Sequence, residues 1–307
     1  MSEAMTVPAV RARKVPSGVG REGIGVEPLV MVTAYDTPTA RIADSAGVDL
    51  ILVGDSVAMV VLGYDDTLHV TVEDMVHHTA AVGRARTRAL VIADLPWLSY
   101  HLSPEETVRN AGRLLRAGAR AVKLEGGRKR LPMVSALVDA EIPVMGHVGL
   151  TPQSVHVMGG YRVQAREPEA AEAVVGDAVA LAAAGCFAIV VESVPDSVAA
   201  AVTEAVAVPT IGIGAGPSCD GQVLVLHDLL GLDDGAAPRF VRRYAHLEAD
   251  AVAAVAAYAT DVRSRRFPSD EETYHLLGDA SGSASQPPSE ATPLTRSRRG
   301  TGDRRAG

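Results

Sequence analysis

The segment from Asp49 to Ser56 limits the possible folds more than any other part of the chain. Four apolar residues without polar alternation, Leu50–Val53, are followed by Gly54, Asp55 and Ser56. An unbroken apolar run of this length is typical of a strand buried on both faces of a parallel sheet. Ligands of parallel α/β folds bind at the carboxyl ends of such strands, so this strand would deliver a carboxylate and a hydroxyl group to a ligand site.

The same pattern recurs along most of the chain. Apolar runs that predict strands alternate with segments that predict helices, several of which begin at a cap-like residue and end at a glycine. The predicted strands cover residues 29–33, 49–53, 89–93, 120–124, 143–146, 187–191, 209–213 and 222–226. Strand–helix alternation predicts a parallel sheet, and eight units in about 240 residues predict a closed (β/α)8 TIM-type barrel of the α/β class.

The composition divides the chain into three regions. Residues 1–27 mix proline, glycine and arginine, which predicts a loosely ordered N-terminal arm with room for a short helix. Residues 28–275 form the predicted barrel, with long βα loops at residues 57–70 and 149–166 of the kind that bind ligands. Residues 276–307 are rich in arginine, serine and proline and predict a disordered tail, because they bury too little apolar surface to fold.

Charge and cysteine content narrow the classes of function. The net charge of −8 argues against nucleic acid as a partner of the folded part. Cys186 and Cys219 have no metal-binding or redox spacing, which favours reduced thiols in the cytoplasm. The sequence shows no apolar run of about 18 residues and no signal-peptide pattern, so we expect a cytoplasmic protein without a membrane partner.

Ionisable residues stand at the ends of neighbouring predicted strands. Asp55 and Asp94 follow the second and third strands, Lys123 and Glu125 lie at the fourth, and Glu192 ends the sixth. In a barrel these ends form one ring, so the side chains would converge on one pocket. The three carboxylates of Asp55, Asp94 and Glu125 would repel one another unless a hard cation binds, and all-oxygen ligation suits Mg²⁺ better than Zn²⁺.

This arrangement predicts chemistry on an α-keto acid. A metal at the carboxylates would polarise the carbonyl group and hold negative charge on its oxygen as an enolate forms. Lys123 would offset the charge of the substrate carboxylate. Glu192 lies two strands away from the nearest predicted ligand, so it would be free to act as a base on the carbon next to the carbonyl.

Structural roles compete with these assignments. A single aspartate after a strand commonly caps a helix or closes a turn, although capping does not require acids at this many successive strand ends. Lys123 could instead face outward to a helix, and His147 could be a structural histidine. His77 and His78 are predicted to lie on the surface of a helix.

Several segments resemble the ketopantoate hydroxymethyltransferase family over about residues 29–275. The matching segments are Thr33–Asp36, Val53–Ser56, His69–Asp74, His78–Ala80, Ala93–Pro96, Val122–Gly127, Gly146–Ser154, Gly159–Tyr161, Val191–Glu192 with Val194–Pro195, and Ile211–Gly216.

The resemblance implies a Mg²⁺-dependent barrel enzyme with one ion per subunit. Such an enzyme transfers a hydroxymethyl group from 5,10-methylenetetrahydrofolate to 3-methyl-2-oxobutanoate, giving 2-dehydropantoate (ketopantoate) and tetrahydrofolate in the first committed step of pantothenate and hence coenzyme A synthesis. Glu192 would remove the proton from C3, and the enolate would attack the one-carbon unit in an aldol-type step. The family is known as a decamer, which implies a homo-oligomer here.

The resemblance also assigns the remaining site residues. By motif match, Asp55 and Asp94 would be metal ligands, and Glu125 would complete the metal site, directly or through water. Ser56 and Lys123 would bind the keto acid, together with the metal on Asp55 and Asp94. One departure lies at Gly63–Thr67, which is more acidic and aromatic than the Gly-His-Asp-Ser-Thr pattern of the family, and this leaves the substrate and folate affinities open.

Two other functions stay open on the sequence. One is a Mg²⁺-dependent enzyme of the isocitrate lyase or phosphoenolpyruvate mutase type, which shares the enolate chemistry. We would expect a reactive cysteine in the lyase signature, and neither Cys186 nor Cys219 stands at a strand end with the acids. The other is a barrel that binds ligands without catalysis, which a missing acid would favour, although all the acids are present.

Overall fold

The computed structural model describes residues 3–16, 25–233, 235 and 237–276. Its strands are β1 (Leu29–Thr33), β2 (Leu50–Val53), β3 (Leu90–Asp94), β4 (Ala121–Lys123), β5 (Val144–Gly149), β6 (Ala188–Glu192), β7 (Thr210–Ile213) and β8 (Gly221–Leu224). All neighbours pair in parallel, and β8 pairs with β1. The predicted (β/α)8 TIM-type barrel is therefore confirmed.

Helices precede, connect and follow the strands along the chain. They are α1 (Val7–Arg11), α2 (Thr37–Ser45), α3 (Val57–Val60), α4 (Val72–Gly83), α5 (Pro104–Ala117), α6 (Leu131–Asp139), α7 (Val155–Met158), α8 (Pro168–Ala183), α9 (Asp196–Ala205), α10 (Leu226–Leu230) and α11 (Leu247–Arg263). Short 3₁₀ helices occupy Thr67–His69, Arg128–Arg130, Pro152–Ser154 and Asp270–Glu272. The two long loops predicted after β2 and β5 thus contain short helical turns.

Alternation along each strand divides the core into two layers. Leu50 and Leu52 belong to the apolar cluster inside the barrel, whereas Ile51 and Val53 belong to the cluster between the barrel and the helices. The period of two along a strand causes this division, because successive side chains point to opposite faces. Both faces are covered, which explains the unbroken apolar runs of the sequence.

The N-terminal arm packs at the amino ends of the strands. Val10 of α1 is fully buried and joins the cluster inside the barrel. Lys14 Nζ lies 3.1 Å from Asp220 Oδ2, just before β8, and donates to the carbonyl oxygen of Thr203 at 2.6 Å. Residues 3–16 of the arm are thus anchored to the barrel, which their composition did not reveal.

The internal contacts of the chain define two units, Met1–Ala251 and Val252–Gly307. The first contains the whole barrel. In the second, the rings of Tyr258 and Phe267 pack edge to face at 5.3 Å. The predicted domain boundaries at residues 27 and 275 stay predictions, and the disorder predicted for the tail falls on residues 277–307, outside the described residues. No helix of the described part is long and apolar enough to cross a membrane.

Candidate active site

The alternation inside the barrel carries the ionisable side chains to one place. Ile92, Ala121, Met145 and Val190 belong to the interior cluster. Two residues further along the same strands, or just beyond them, come Asp94, Lys123, His147 and Glu192, which therefore point to the same side. Glu125 follows Lys123 by two residues, and the strands end here, so these groups line the carboxyl end of the barrel interior, where barrel enzymes place their sites.

Asp55 and Asp94 form a buried carboxylate pair. The Asp55 backbone N–H, just after β2, donates to Asp94 Oδ2 at 3.1 Å. Both residues are almost fully buried. Burial, followed by the charge of Asp94, raises the pKa of Asp55 to about 7. Two neighbouring buried carboxylates favour uptake of a proton, and a cation would relieve the same repulsion.

Lys123 supplies one positive charge to this pair. Its Nζ lies 2.9 Å from Asp94 Oδ1 and 3.9 Å from Glu125 Oε1. Burial lowers the pKa of Lys123, but the charges of Asp94, Glu125 and Asp55 together outweigh it and leave that pKa above its ordinary value. Lys123 therefore faces inward, as the functional assignment requires, and stays an ammonium group.

Glu125 shares the same buried space. Its Oε2 accepts from the backbone N–H of Gln153 at 3.0 Å. Burial, then the charge of Asp55, raises the pKa of Glu125 well above its ordinary value. Asp55, Asp94 and Glu125 thus carry up to three negative charges against one ammonium group, and the excess fits a divalent cation with oxygen ligands.

The charge of these carboxylates favours a metal ion more clearly than their geometry does. Among the described residues, no group of three or more His, Cys, Asp or Glu side chains has a metal-binding arrangement. Mg²⁺ commonly takes one or two carboxylates and completes its shell with water and substrate oxygens, which the pair of Asp55 and Asp94 can satisfy. The predicted ligand set of Asp55, Asp94 and Glu125 stays a prediction.

His147 lies between Lys123 and Glu192. Its Nδ1 is 3.3 Å from Lys123 Nζ, and its Nε2 is 3.3 Å from Glu192 Oε2. Burial, then the charge of Lys123, lowers the pKa of His147, so the imidazole is neutral. An ammonium group can only donate, so Nδ1 accepts and the imidazole proton sits on Nε2, facing Glu192. His147 thus lies between two charged groups of the site, Lys123 and Glu192.

Ser56 is held by a second chain of contacts. Its Oγ lies 2.8 Å from the hydroxyl of Tyr35, a buried residue just after β1, and burial raises the pKa of that hydroxyl above its ordinary value. His78 Nδ1 lies 2.8 Å from the carbonyl oxygen of Tyr35. α4 packs His78 against this turn and leaves it half-buried, while His77 is exposed. The prediction that both lie on the helix surface therefore holds for His77 and only in part for His78.

Sequence reasoning missed Gln153 and Tyr100. Gln153 Nε2 donates to Asp55 Oδ2 at 2.7 Å, and the Tyr100 hydroxyl donates to Gln153 Oε1 at 2.6 Å. Both side chains are buried among the acids. Gln153 lies within the segment Gly146–Ser154 of the resemblance, but nothing in its local pattern marks it as a partner of Asp55.

A family model and two relatives that share one name match most of this chain. The family model described as ketopantoate hydroxymethyltransferase matches residues 21–270. A 3-methyl-2-oxobutanoate hydroxymethyltransferase of Methylobacterium sp. (strain 4-46) is 58% identical over 248 residues, which are 81% of this chain and 86% of that protein. The protein of the same name from Syntrophobacter fumaroxidans is 52% identical over 277 residues, 90% of this chain and 95% of that protein.

Solved structures share the fold at much lower identity. A 2,3-dimethylmalate lyase, described as a PEP mutase/isocitrate lyase superfamily member, is 19% identical with a TM-score of 0.54 and covers 89% of this chain and 93% of its own. A phosphonopyruvate hydrolase in complex with oxalate and Mg²⁺ is 17% identical with a TM-score of 0.55 and covers 87% and 93%. At such identities the likeness shows the barrel alone.

Proposed function

The chain belongs to the ketopantoate hydroxymethyltransferase family, which is a family of transferases, and we propose that it makes ketopantoate from 3-methyl-2-oxobutanoate. The one-carbon donor is 5,10-methylenetetrahydrofolate. Its methylene carbon bonds to C3 of the keto acid, water supplies the hydroxyl oxygen, and tetrahydrofolate leaves. The reaction is the first committed step of pantothenate and coenzyme A synthesis.

One observation supports this proposal more than any other. Glu192 is separated from the carboxylate pair Asp55 and Asp94 by Lys123 and His147. One end of the site therefore carries carboxylates for a cation and an ammonium group for an anion. The other end offers a carboxylate that can take a proton. An α-keto acid with an acidic C–H next to its carbonyl needs both.

We assign the binding of the keto acid to the charged end. Asp55 and Asp94 would hold one Mg²⁺, and Glu125 would complete the site, directly or through water. Bound there, Mg²⁺ supplies Lewis-acid polarisation of the keto group. Lys123 and Ser56 bind the substrate carboxylate, since the ammonium group and a hydroxyl held by Tyr35 are the donors available beside the acids.

Glu192 is the proposed base. Its side chain is 16% exposed, which makes it the most accessible of the four carboxylates Asp55, Asp94, Glu125 and Glu192. His147 Nε2 lies 3.3 Å from Glu192 Oε2, and we assign it to orienting that carboxylate. Removal of the C3 proton gives the enolate, whose carbon attacks the one-carbon unit.

Lys123 acts as a charge and not as a nucleophile. A Schiff base requires the neutral amine, but the three carboxylates keep the pKa of Lys123 above its ordinary value despite burial. The carbon–carbon bond therefore forms in an aldol-type step without a covalent enzyme intermediate.

The alternative functions differ in what they would do to the same substrate. A lyase of the isocitrate lyase or phosphoenolpyruvate mutase type shares the barrel, but relatives 52–58% identical carry the transferase name. A binding protein without catalysis would hold the keto acid and leave its C3 proton in place.

Proton NMR of 3-methyl-2-oxobutanoate in D₂O tests the proposal. With the protein and Mg²⁺, we expect the C3 proton signal to disappear without any folate, and EDTA should stop the loss. Addition of 5,10-methylenetetrahydrofolate should then give ketopantoate. No ketopantoate with both substrates and Mg²⁺ present would refute the proposed function.

We also propose a cytoplasmic homo-oligomer, a decamer as in the family. Sedimentation velocity of the full chain measures the assembly, and a monomer at micromolar concentration would contradict it.

A further inference from the structure

Gln153 connects three strand ends of the site through its own polar atoms. Nε2 donates to Asp55 Oδ2, after β2, at 2.7 Å and to the carbonyl oxygen of Leu95, after β3, at 3.0 Å. The backbone N–H donates to Glu125 Oε2, after β4, at 3.0 Å. Oε1 accepts from the Tyr100 hydroxyl at 2.6 Å.

The partners leave one orientation for the Gln153 amide. The Leu95 carbonyl oxygen can only accept, so the NH₂ group must face it and Asp55. The Tyr100 hydroxyl accepts from the Glu125 backbone N–H at 3.2 Å, so its own proton is available to Gln153 Oε1. A flipped amide would place its oxygen against two acceptors, Asp55 Oδ2 and the carbonyl oxygen of Leu95.

The turn that carries Gln153 brings it across the barrel mouth. Residues Pro152–Ser154 form a 3₁₀ helix directly after β5, and Gln153 is 5% exposed. It therefore lies under the loop as a buried polar group whose hydrogen bonds go to the acids and not to solvent. A buried amide with each polar atom satisfied is costly to disturb, which makes it a rigid support.

We propose that Gln153 is a positioning residue that fixes the carboxylates of Asp55 and Glu125 for cation binding. This inference rests on the proposed function for its reaction, but its geometry does not depend on turnover. Groups that form hydrogen bonds to metal ligands typically contribute 10- to 100-fold in metal affinity. The side chain of Gln153 holds Asp55 and its backbone N–H holds Glu125, so a side-chain substitution removes the bond to Asp55 and keeps the bond to Glu125.

Mn²⁺ binding to the full chain tests the proposal, measured by electron paramagnetic resonance without substrate. Gln153→Met keeps the length of the side chain and removes the amide, and we expect its Mn²⁺ affinity to fall about 10- to 100-fold. Gln222→Met is the matched control, because Gln222 on β8 is exposed and donates to the carbonyl oxygen of Gly216 at 3.0 Å. Its Mn²⁺ affinity should equal that of the parent.

A merely structural role predicts a different result. It would lower the thermal midpoint of Gln153→Met and leave the Mn²⁺ affinity of the folded protein unchanged, and this outcome overturns the proposal. Tyr100→Phe provides a milder second variant that removes the hydroxyl partner of Gln153 and keeps the ring. We expect its affinity to lie between those of the parent and Gln153→Met, and a parent-like affinity in both variants refutes the inference.

The C3 exchange reaction separates this inference from the proposed function. In Gln153→Met the half-saturating Mn²⁺ concentration should rise, and the exchange rate should recover as Mn²⁺ is increased. If the parent fails to make ketopantoate, the proposed reaction is wrong, yet the Mn²⁺ affinities of the variants still decide the role of Gln153.

Discussion

Replacing Glu192 with glutamine removes the proposed base with little change in shape. Glu192 Oε2 lies 3.3 Å from His147 Nε2, and the amide oxygen of glutamine can accept from the same N–H. The substitution replaces the contact of His147 with a charged group by a contact with a neutral group. This change weakens the contact by about 1 kcal/mol. Folding and keto-acid binding should therefore change by no more than about fivefold.

The loss of proton transfer is expected to be much larger. A positioned general base contributes about 10²- to 10⁴-fold, or about 2.7–5.4 kcal/mol of transition-state stabilisation. The rate of C3 proton loss from 3-methyl-2-oxobutanoate in D₂O with saturating Mg²⁺ measures this directly. We expect the Glu192→Gln variant to bind the keto acid and Mg²⁺. It should exchange the C3 proton of the keto acid at least 10²-fold more slowly than the parent.

Glu169→Gln is the matched control for this experiment. Glu169 lies in the first turn of α8 and is exposed, so the same chemical change there should leave exchange at the parent rate. If Glu192→Gln exchanges C3 at the parent rate, the assignment of the base is wrong. If it loses exchange together with keto-acid binding, Glu192 holds the substrate and does not act as the base.

Three further predictions concern the charges of the barrel. Lys123→Met removes the partner of Asp94 and should cost about 3–5 kcal/mol in urea unfolding with EDTA, and Mg²⁺ should restore part of it; no loss would refute the buried pair. The pKa of Asp55 rises from 3.8 to about 7 on folding without metal, so the folded state holds the extra proton and stability falls as pH rises between these values. Asp55→Asn should remove part of that slope, measured by thermal unfolding in EDTA from pH 4 to 7; an unchanged slope would contradict the raised pKa. Lys14→Met should cost about 1.5–3 kcal/mol through Asp220 and leave C3 exchange unchanged, since the arm packs at the opposite end of the barrel.

The sequence predicts the barrel well because its strands are buried on both faces. Apolar runs such as Leu50–Val53 can be identified as strands from the local sequence alone. The glycine or polar residue after the run marks the end of the strand. The eighth strand is less well placed, since it was predicted at residues 222–226 and is observed at Gly221–Leu224. Leu226 already begins α10, where its backbone N–H donates to Thr33 Oγ1, a tertiary contact that no local pattern reveals.

The alternation of side chains along each strand explains which site residues the sequence could predict. Asp94, Lys123 and Glu192 continue the inward alternation of their strands, so their convergence follows from the barrel. The alternation of β5 also places His147 beside them, although its role between Lys123 and Glu192 needs the distances. Gln153 could not be predicted in this way, because a turn beyond β5 and not a strand brings it to Asp55.

Glu125 and Glu192 place one residue type in two different surroundings of a single barrel. Glu125 is 3% exposed, accepts from a backbone N–H and has its pKa raised by burial and then by Asp55. Glu192 is 16% exposed and faces the Nε2–H of a neutral His147. Enzymes assign acid, base and ligand roles to carboxylates by such differences in surroundings. If these assignments hold, Glu125→Gln should weaken Mn²⁺ binding and Glu192→Gln should not, whereas equal effects on Mn²⁺ affinity would show that the two glutamates share one role.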